Sequence, residues 1–125
     1  MKIGAHVSTA GGVDKAIDRA SLIGAEAVQI FVSSPRGWAF KPLEAATISL
    51  FREKSLENVV NPVVFHGIYL VSLGTDNQIN LEKGVHSLID YMKVSEQLDA
   101  LGVIFHAGSH KGRGFDAVFD QAVNT

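Results

Sequence analysis

The chain has 125 residues, 46% hydrophobic, 19% charged and 8% aromatic, which is enough apolar material for the core of one ordinary domain. That balance excludes collagen-like, coiled-coil and strongly disordered chains, and no apolar run approaches the ~20 residues of a membrane span. Zero cysteines exclude disulfide scaffolds and thiolate zinc sites, while a net charge of −2 and a pI near 6.2 argue against a uniformly basic nucleic-acid binder.

The opening Met-Lys-Ile-Gly-Ala-His-Val lacks the long apolar segment of a signal peptide and reads as a strand, so a cytoplasmic enzyme or binding domain is expected. Four units then repeat, each an apolar strand pattern, a loop and a helical pattern. Ile3–His6 is the first strand, and Ser-Thr-Ala-Gly-Gly leads into a helix with the stripe Val13, Ala16, Ile17, Ala20 and Ile23, stopped by Gly24. Ala27–Val32 is an apolar strand broken only by Gln29. Past a loop over Ser33–Lys41, Pro42 suits the first position of a second helix reaching about Leu56.

Val63–His66 is the third strand. Asn80 is a candidate cap for the longest helix, whose stripe is Leu81, Val85, Leu88, Ile89, Met92 and Ser95, with Gly102 as its stop. Val103–His106 is the fourth strand, and past Gly114 a last helix begins with Phe115, Val118, Phe119 and Ala122.

Strands alternating with helices, and apolar on both faces, predict a parallel α/β sheet. No linker or low-complexity stretch interrupts residues 1–125, so one domain and no second is expected. Four βα units are half of a (β/α)8 barrel, which needs ~250 residues. A small doubly wound sheet is the other option; the favoured expectation is a half-barrel or truncated TIM barrel. Its outer strands, Ile3–His6 and Val103–His106, are unpaired edges open to self-association.

Three strands end alike: Ile3-Gly-Ala-His6, Val63-Val-Phe-His66 and Val103-Ile-Phe-His106. Ligands bind at the carboxyl ends of parallel strands, and alternation places His66 and His106 on one face of neighbouring strands. Strands ~4.8 Å apart let two imidazoles share a tetrahedral zinc ion with Zn–N of ~2.1 Å. His6, two strands from His66 and about 10 Å away at that spacing, is a poorer ligand and is expected behind the metal shell. A strand-end histidine can equally be a hydrogen-bonded packing residue. His86 is expected in solvent, and His110, in the fourth loop, is ambiguous, a candidate with His6 for a place behind the metal shell. Two neutral imidazoles leave a dication uncompensated, and no strand here ends in Asp or Glu, so the implied site is incomplete.

The loops at the strand carboxyl ends hold Arg36, Lys41, Lys111 and Arg113 against Asp76 alone. That surplus of three positive charges leaves −5 on the rest of the chain and suits an anionic substrate such as a phosphodiester. Arg36 with Trp38, and Tyr69 three residues after His66, are residue types that insert into or stack on nucleic acid. Such aromatics also commonly pack the base of their own loop. Gly112-Arg-Gly114 before a helix is a weak phosphate-cradle signal.

The opening Ile-Gly-Ala-His-Val-Ser-x-Ala-Gly-Gly, then Arg36-x-Trp38, His66-x-x-Tyr69-Leu70-x-x-Leu73-Gly74 and Phe105-His106-x-Gly108-Ser109-His110, resemble the amino-terminal part of the endonuclease IV family across nearly the whole chain. The resemblance implies a TIM barrel that binds three zinc ions, acts on abasic double-stranded DNA in base-excision repair, and cleaves the phosphodiester 5′ to the lesion. By that resemblance His66 and His106 match two ligands of one zinc ion. Arg36 and Tyr69 match residues inserted into the DNA, while Trp38 and His110 match motif positions without an assigned role. The family's carboxylate ligands, its metal-bridging Glu among them, and its further histidines lie on later strands and have no counterpart here. At most one partial zinc site is therefore expected, and this chain is expected to be inactive alone. Gly67-Ile68 inside the histidine–tyrosine motif and Ser34-Pro35 before Arg36 set this chain's loops apart. The alternatives are a non-catalytic half-barrel with weak metal binding, or a sugar isomerase or epimerase on the same scaffold.

Overall fold

The structure, a computed structural model, describes residues 1–125. Its elements run β1 (Gly4–His6), α1 (Asp14–Leu22), β2 (Ala27–Ile30), α2 (Ala45–Glu57), β3 (Val63–His66), α3 (Gln78–Gln97), β4 (Val103–Ile104) and α4 (Phe115–Asn124). All strand pairs are parallel and the sheet order is β1-β2-β3-β4. This is four consecutive βα units of a barrel, with the outer edges of β1 and β4 left unpaired. No helix is long and apolar enough to cross a membrane.

Register assigns the two faces. His6 pairs with Gln29, Gln29 with Val64, and His66 with Ile104. The alternate residues Val28, Ile30, Val63 and Phe65 are buried beneath the helices, against Ala16, Ile17 and Ala20 of α1, Phe51 of α2, and Tyr91 and Val94 of α3. Gln29, Val64, His66 and Ile104 therefore share the opposite, open face. The stripe of α1 packs as its spacing predicts, except that Ile23, at the cap, is exposed. Gly24, at φ 71°, closes the helix while the Ala25 amide donates to the Ala20 carbonyl at 2.9 Å.

Several boundaries differ from the sequence expectation: β1 begins at Gly4 rather than Ile3, and β2 ends at Ile30 rather than Val32. Pro42 does not open α2; Glu44 precedes the first helical residue, because Trp38, Phe40 and Leu43 pack against the core first and hold the chain extended. Asn77, not Asn80, caps α3: its side-chain oxygen accepts from the Asn80 amide at 2.9 Å. The stop of α3 is Asp99, at φ 56°, rather than Gly102. β4 ends at Ile104, since Gly67 donates to the Ile104 carbonyl just where β3 ends, so His106 lies two residues beyond its strand. The face of α3 also shifts. Gly84, Tyr91, Val94 and Ser95 are buried, while Ile89 and Met92 remain exposed and line an open groove with Leu73, Val85 and Leu101.

α4 seats on the loop between β3 and α3. Gln121 Nε2 donates to the Leu73 and Thr75 carbonyls, both at 2.7 Å, and Arg113 Nη1 donates to the Gly74 carbonyl at 3.0 Å. A Cβ on Gly74 would lie 2.2 Å from Val118 Cγ1, so this close approach admits only glycine.

Candidate metal and nucleic-acid site

The open face converges on a cluster of rings at the strand carboxyl ends. His66 and His106 have ring centres 5.2 Å apart, His6 and His66 6.1 Å. The strand-spacing expectation of about 10 Å between His6 and His66 is corrected, because both side chains lean inward from a shared face. Phe31, one residue past β2, falls among them, 4.9 Å from both His6 and His66. Tyr69 completes the cluster at 5.7 Å from His66 and 6.1 Å from His106.

The separation of His66 and His106 can be tested against zinc geometry. With Zn–N of ~2.1 Å, tetrahedral angles and ring centres about 1.1 Å beyond the nitrogens, two imidazoles on one ion have centres about 5.2 Å apart. The observed spacing fits. His66 Nδ1 lies 2.7 Å from the Gly67 carbonyl, which can only accept. Nδ1 therefore carries a proton, and in the neutral ring Nε2 carries the lone pair, the form a metal requires. The two rings have the spacing of a pair that could share one ion, and no cluster of three His, Cys, Asp or Glu side chains surrounds them.

His6 differs in kind. Gln29 Nε2 approaches its Nδ1 at 2.8 Å; an amide nitrogen donates, so Nδ1 accepts and the ring proton sits on Nε2. Partial burial, and then the neighbouring His66, hold this imidazole below its ordinary pKa. His6 is thus a neutral ring with an N–H to offer rather than a lone pair. In the sequence Gln29 stands only as a polar interruption, and nothing there singles out Phe31. The signal for Gln29 was that polar break in an apolar strand; Phe31 had none.

The nucleic-acid candidates sit on loops that are tied together. Tyr69 is 55% exposed, and its amide donates to the Pro35 carbonyl at 2.9 Å, directly beside Arg36. The β2–α2 loop is anchored beneath by Tyr91, whose hydroxyl lies 2.9 Å from Ser33 Oγ; burial pushes the Tyr91 phenol above its ordinary pKa. Trp38 is half-buried against the core, the loop-packing role. Arg36, Lys41 and Lys111 are exposed and stand outside the ion pairs, which join only Asp14, Lys15, Asp18 and Lys54. Arg113 is instead bound to Gly74 and to Gln121 Oε1.

His110 is occupied in its own turn: Nδ1 accepts from the Gly112 amide at 3.1 Å and its carbonyl from the Arg113 amide at 2.8 Å. His86 is exposed on α3 and bonds the Glu82 carbonyl. Gly67 permits close packing of β3 on its neighbour, for a Cβ there would meet Phe105 Cβ at 3.2 Å.

Parallel strands each followed by a covering helix, with polar side chains gathered at the strand carboxyl ends, define the barrel class of α/β proteins. The profile described as Xylose isomerase-like TIM barrel matches residues 17–125, and the chain belongs to that family. It is similar to Probable endonuclease 4 of Halothermothrix orenii, 40% identical over 114 residues that cover 91% of this chain and 41% of the relative. Probable endonuclease 4 of Aquifex aeolicus is 39% identical over 109 residues, 87% of this chain and 38% of the relative. The crystal structure of endonuclease IV from Thermus thermophilus superposes with a TM-score of 0.86 at 35% identity, covering 98% of this chain and 45% of that one. A D-psicose 3-epimerase from Clostridium cellulolyticum matches with a TM-score of 0.67 at 11% identity, a likeness of fold alone. The chain spans less than half the length of these relatives.

Proposed function

We propose that this chain supplies the amino-terminal half of a zinc-dependent apurinic/apyrimidinic endonuclease that cleaves the phosphodiester 5′ to an abasic site in double-stranded DNA. The observation that carries the reading is the 5.2 Å separation of the His66 and His106 rings, with the His66 lone pair left free on Nε2. His66 and His106 hold one side of a zinc ion. A bound ion supplies Lewis acidity and a water of lowered pKa. Arg36, Lys41 and Lys111 draw the phosphate backbone to the strand ends. Arg36 and Tyr69, on joined loops, enter the duplex at the gap left by the missing base. His6 offers its Nε2–H to an anionic oxygen at the open face. Carboxylate ligands from outside this chain complete the metal set, so the chain by itself binds at most one ion weakly and does not cut.

The test is incision of an abasic duplex by protein that contains this chain within a complete barrel. Incision at the 5′ side, lost on chelation and restored by zinc, is expected, and Arg36→Ala or Tyr69→Ala should weaken abasic-duplex binding roughly tenfold, about 1.4 kcal/mol, in the range for a stacking contact. Chelator-resistant incision, or none, refutes the reading. Turnover of a ketose with indifference to Arg36→Ala would favour an epimerase instead. The open edges of β1 and β4 support a second property, self-association of the isolated chain. Sedimentation that finds only monomer at high concentration refutes it.

A further inference from the structure

We infer that Phe31 is a positioning residue: its ring sets the plane of His66, and through it the direction of the Nε2 lone pair. The inference rests on the metal reading above for its purpose, but its geometry stands apart from it. Phe31 follows Ile30, and alternation turns it to the open face with Gln29, opposite the helices. Its ring centre lies 4.9 Å from His66 at 56° between planes, 4.9 Å from His6 at 55°, and 5.4 Å from Tyr69 at 73°. Its ring thus neighbours a ring from β1, a ring from β3 and Tyr69 of the β3–α3 loop.

Its backbone is also held: the Phe31 carbonyl accepts from Thr9 Oγ1 at 3.1 Å, which ties the residue to the β1–α1 loop. The Gly67 carbonyl holds the Nδ1 end of His66, but one hydrogen bond does not keep the ring from turning away and breaking it. A tilted aromatic wall at contact distance removes that freedom, because edge and face of the two rings are electrostatically matched in few orientations. Tyr69 is braced by the same wall, so the metal donor and the exposed aromatic take their positions from one residue.

Two measurements on the intact chain test this. In long-range 15N spectra at alkaline pH, where free imidazoles are neutral, wild type should show His66 as a single tautomer protonated on Nδ1. Phe31→Ala should average that signal toward a tautomer mixture, and Phe31→Tyr should restore it. In zinc titrations, Phe31→Ala should bind about tenfold more weakly, the lower end of the loss on removing groups that orient metal ligands, with Phe31→Tyr near wild type. Ile30→Ala, fully buried on the opposite face, controls for mere destabilisation: it should lower the unfolding midpoint and leave the His66 signal unmoved. A His66 tautomer unchanged in Phe31→Ala overturns the inference whatever the zinc result. If no variant binds zinc but the tautomer averages in Phe31→Ala, the positioning role stands and the metal reading falls.

Discussion

Replacing Gly74 by Ala probes how α4 is held to the loop that follows His66. The added Cβ lies 2.2 Å from Val118 Cγ1 and 3.5 Å from Val118 Cβ. Restoring contact near 3.5 Å requires a separation of more than 1 Å, in a region where packing is dense and valine has few rotamers. The same displacement stretches the Gln121 bonds to Leu73 and Thr75 and the Arg113 bond to Gly74. Overpacking of this kind costs about 1–3 kcal/mol, to which a weakened hydrogen bond adds about 1 kcal/mol. Urea unfolding should therefore show Gly74→Ala destabilised by about 2–4 kcal/mol with an unchanged slope. Val118→Ala deletes the clashing methyl and leaves only the ordinary 3.5 Å contact, so the double variant should recover at least ~1 kcal/mol relative to additivity. Gly74→Ala as stable as wild type, or strict additivity with Val118→Ala, refutes the close approach.

Further outcomes follow from the ion pairs and the buried phenol. Lys54 Nζ donates to Asp14 at 2.9 Å and to Asp18 at 2.6 Å. The Lys54 hydrogen bond holds each carboxyl below the usual carboxylate range, against the opposing effect of burial. A depressed folded pKa means the stabilisation is present above the ordinary carboxylate value and is lost as pH falls through the folded one. Lys54, raised by both hydrogen bonds, keeps its share below the ordinary lysine value and loses it only as pH rises through its higher folded value. Urea midpoints across the acid range should thus fall more steeply for wild type than for Lys54→Met, and parallel curves would contradict the coupling. Tyr91→Phe removes the hydroxyl from Ser33 and should cost about 0.5–1.5 kcal/mol. Amide exchange should then quicken at residues 33–37, and unchanged exchange there would show that the loop is held elsewhere.

Much of this arrangement was legible in the residues. Val63–His66 alternates so cleanly that its bounds, its buried face and the inward turn of His66 follow from period-two geometry alone. Gly24 ends α1 as its lack of a Cβ allows. Where local signals competed, tertiary contacts decided. Two asparagines three residues apart both suit a cap, and the one whose side chain reaches the other's amide took the role. Leu88, Ile89 and Met92 form a convincing stripe, yet Tyr91 and Val94 on an adjacent face are buried deeper. The partner-dependent features were hidden altogether. The short β4 reflects pairing on one side only, and the His6–His66 distance reflects how side chains lean across an open face. Phe31 gave no sign, for a phenylalanine at a strand end reads as core.

Shared coordination by His66 and His106 is most directly measured by following both rings in long-range 15N spectra as zinc is added to the intact chain. The Nε2 signals of both should shift toward the metal-bound range together, at one midpoint, and His66→Ala should abolish the shift at His106. Separate midpoints, or a His106 response that survives His66→Ala, would contradict a single ion held between the two strands.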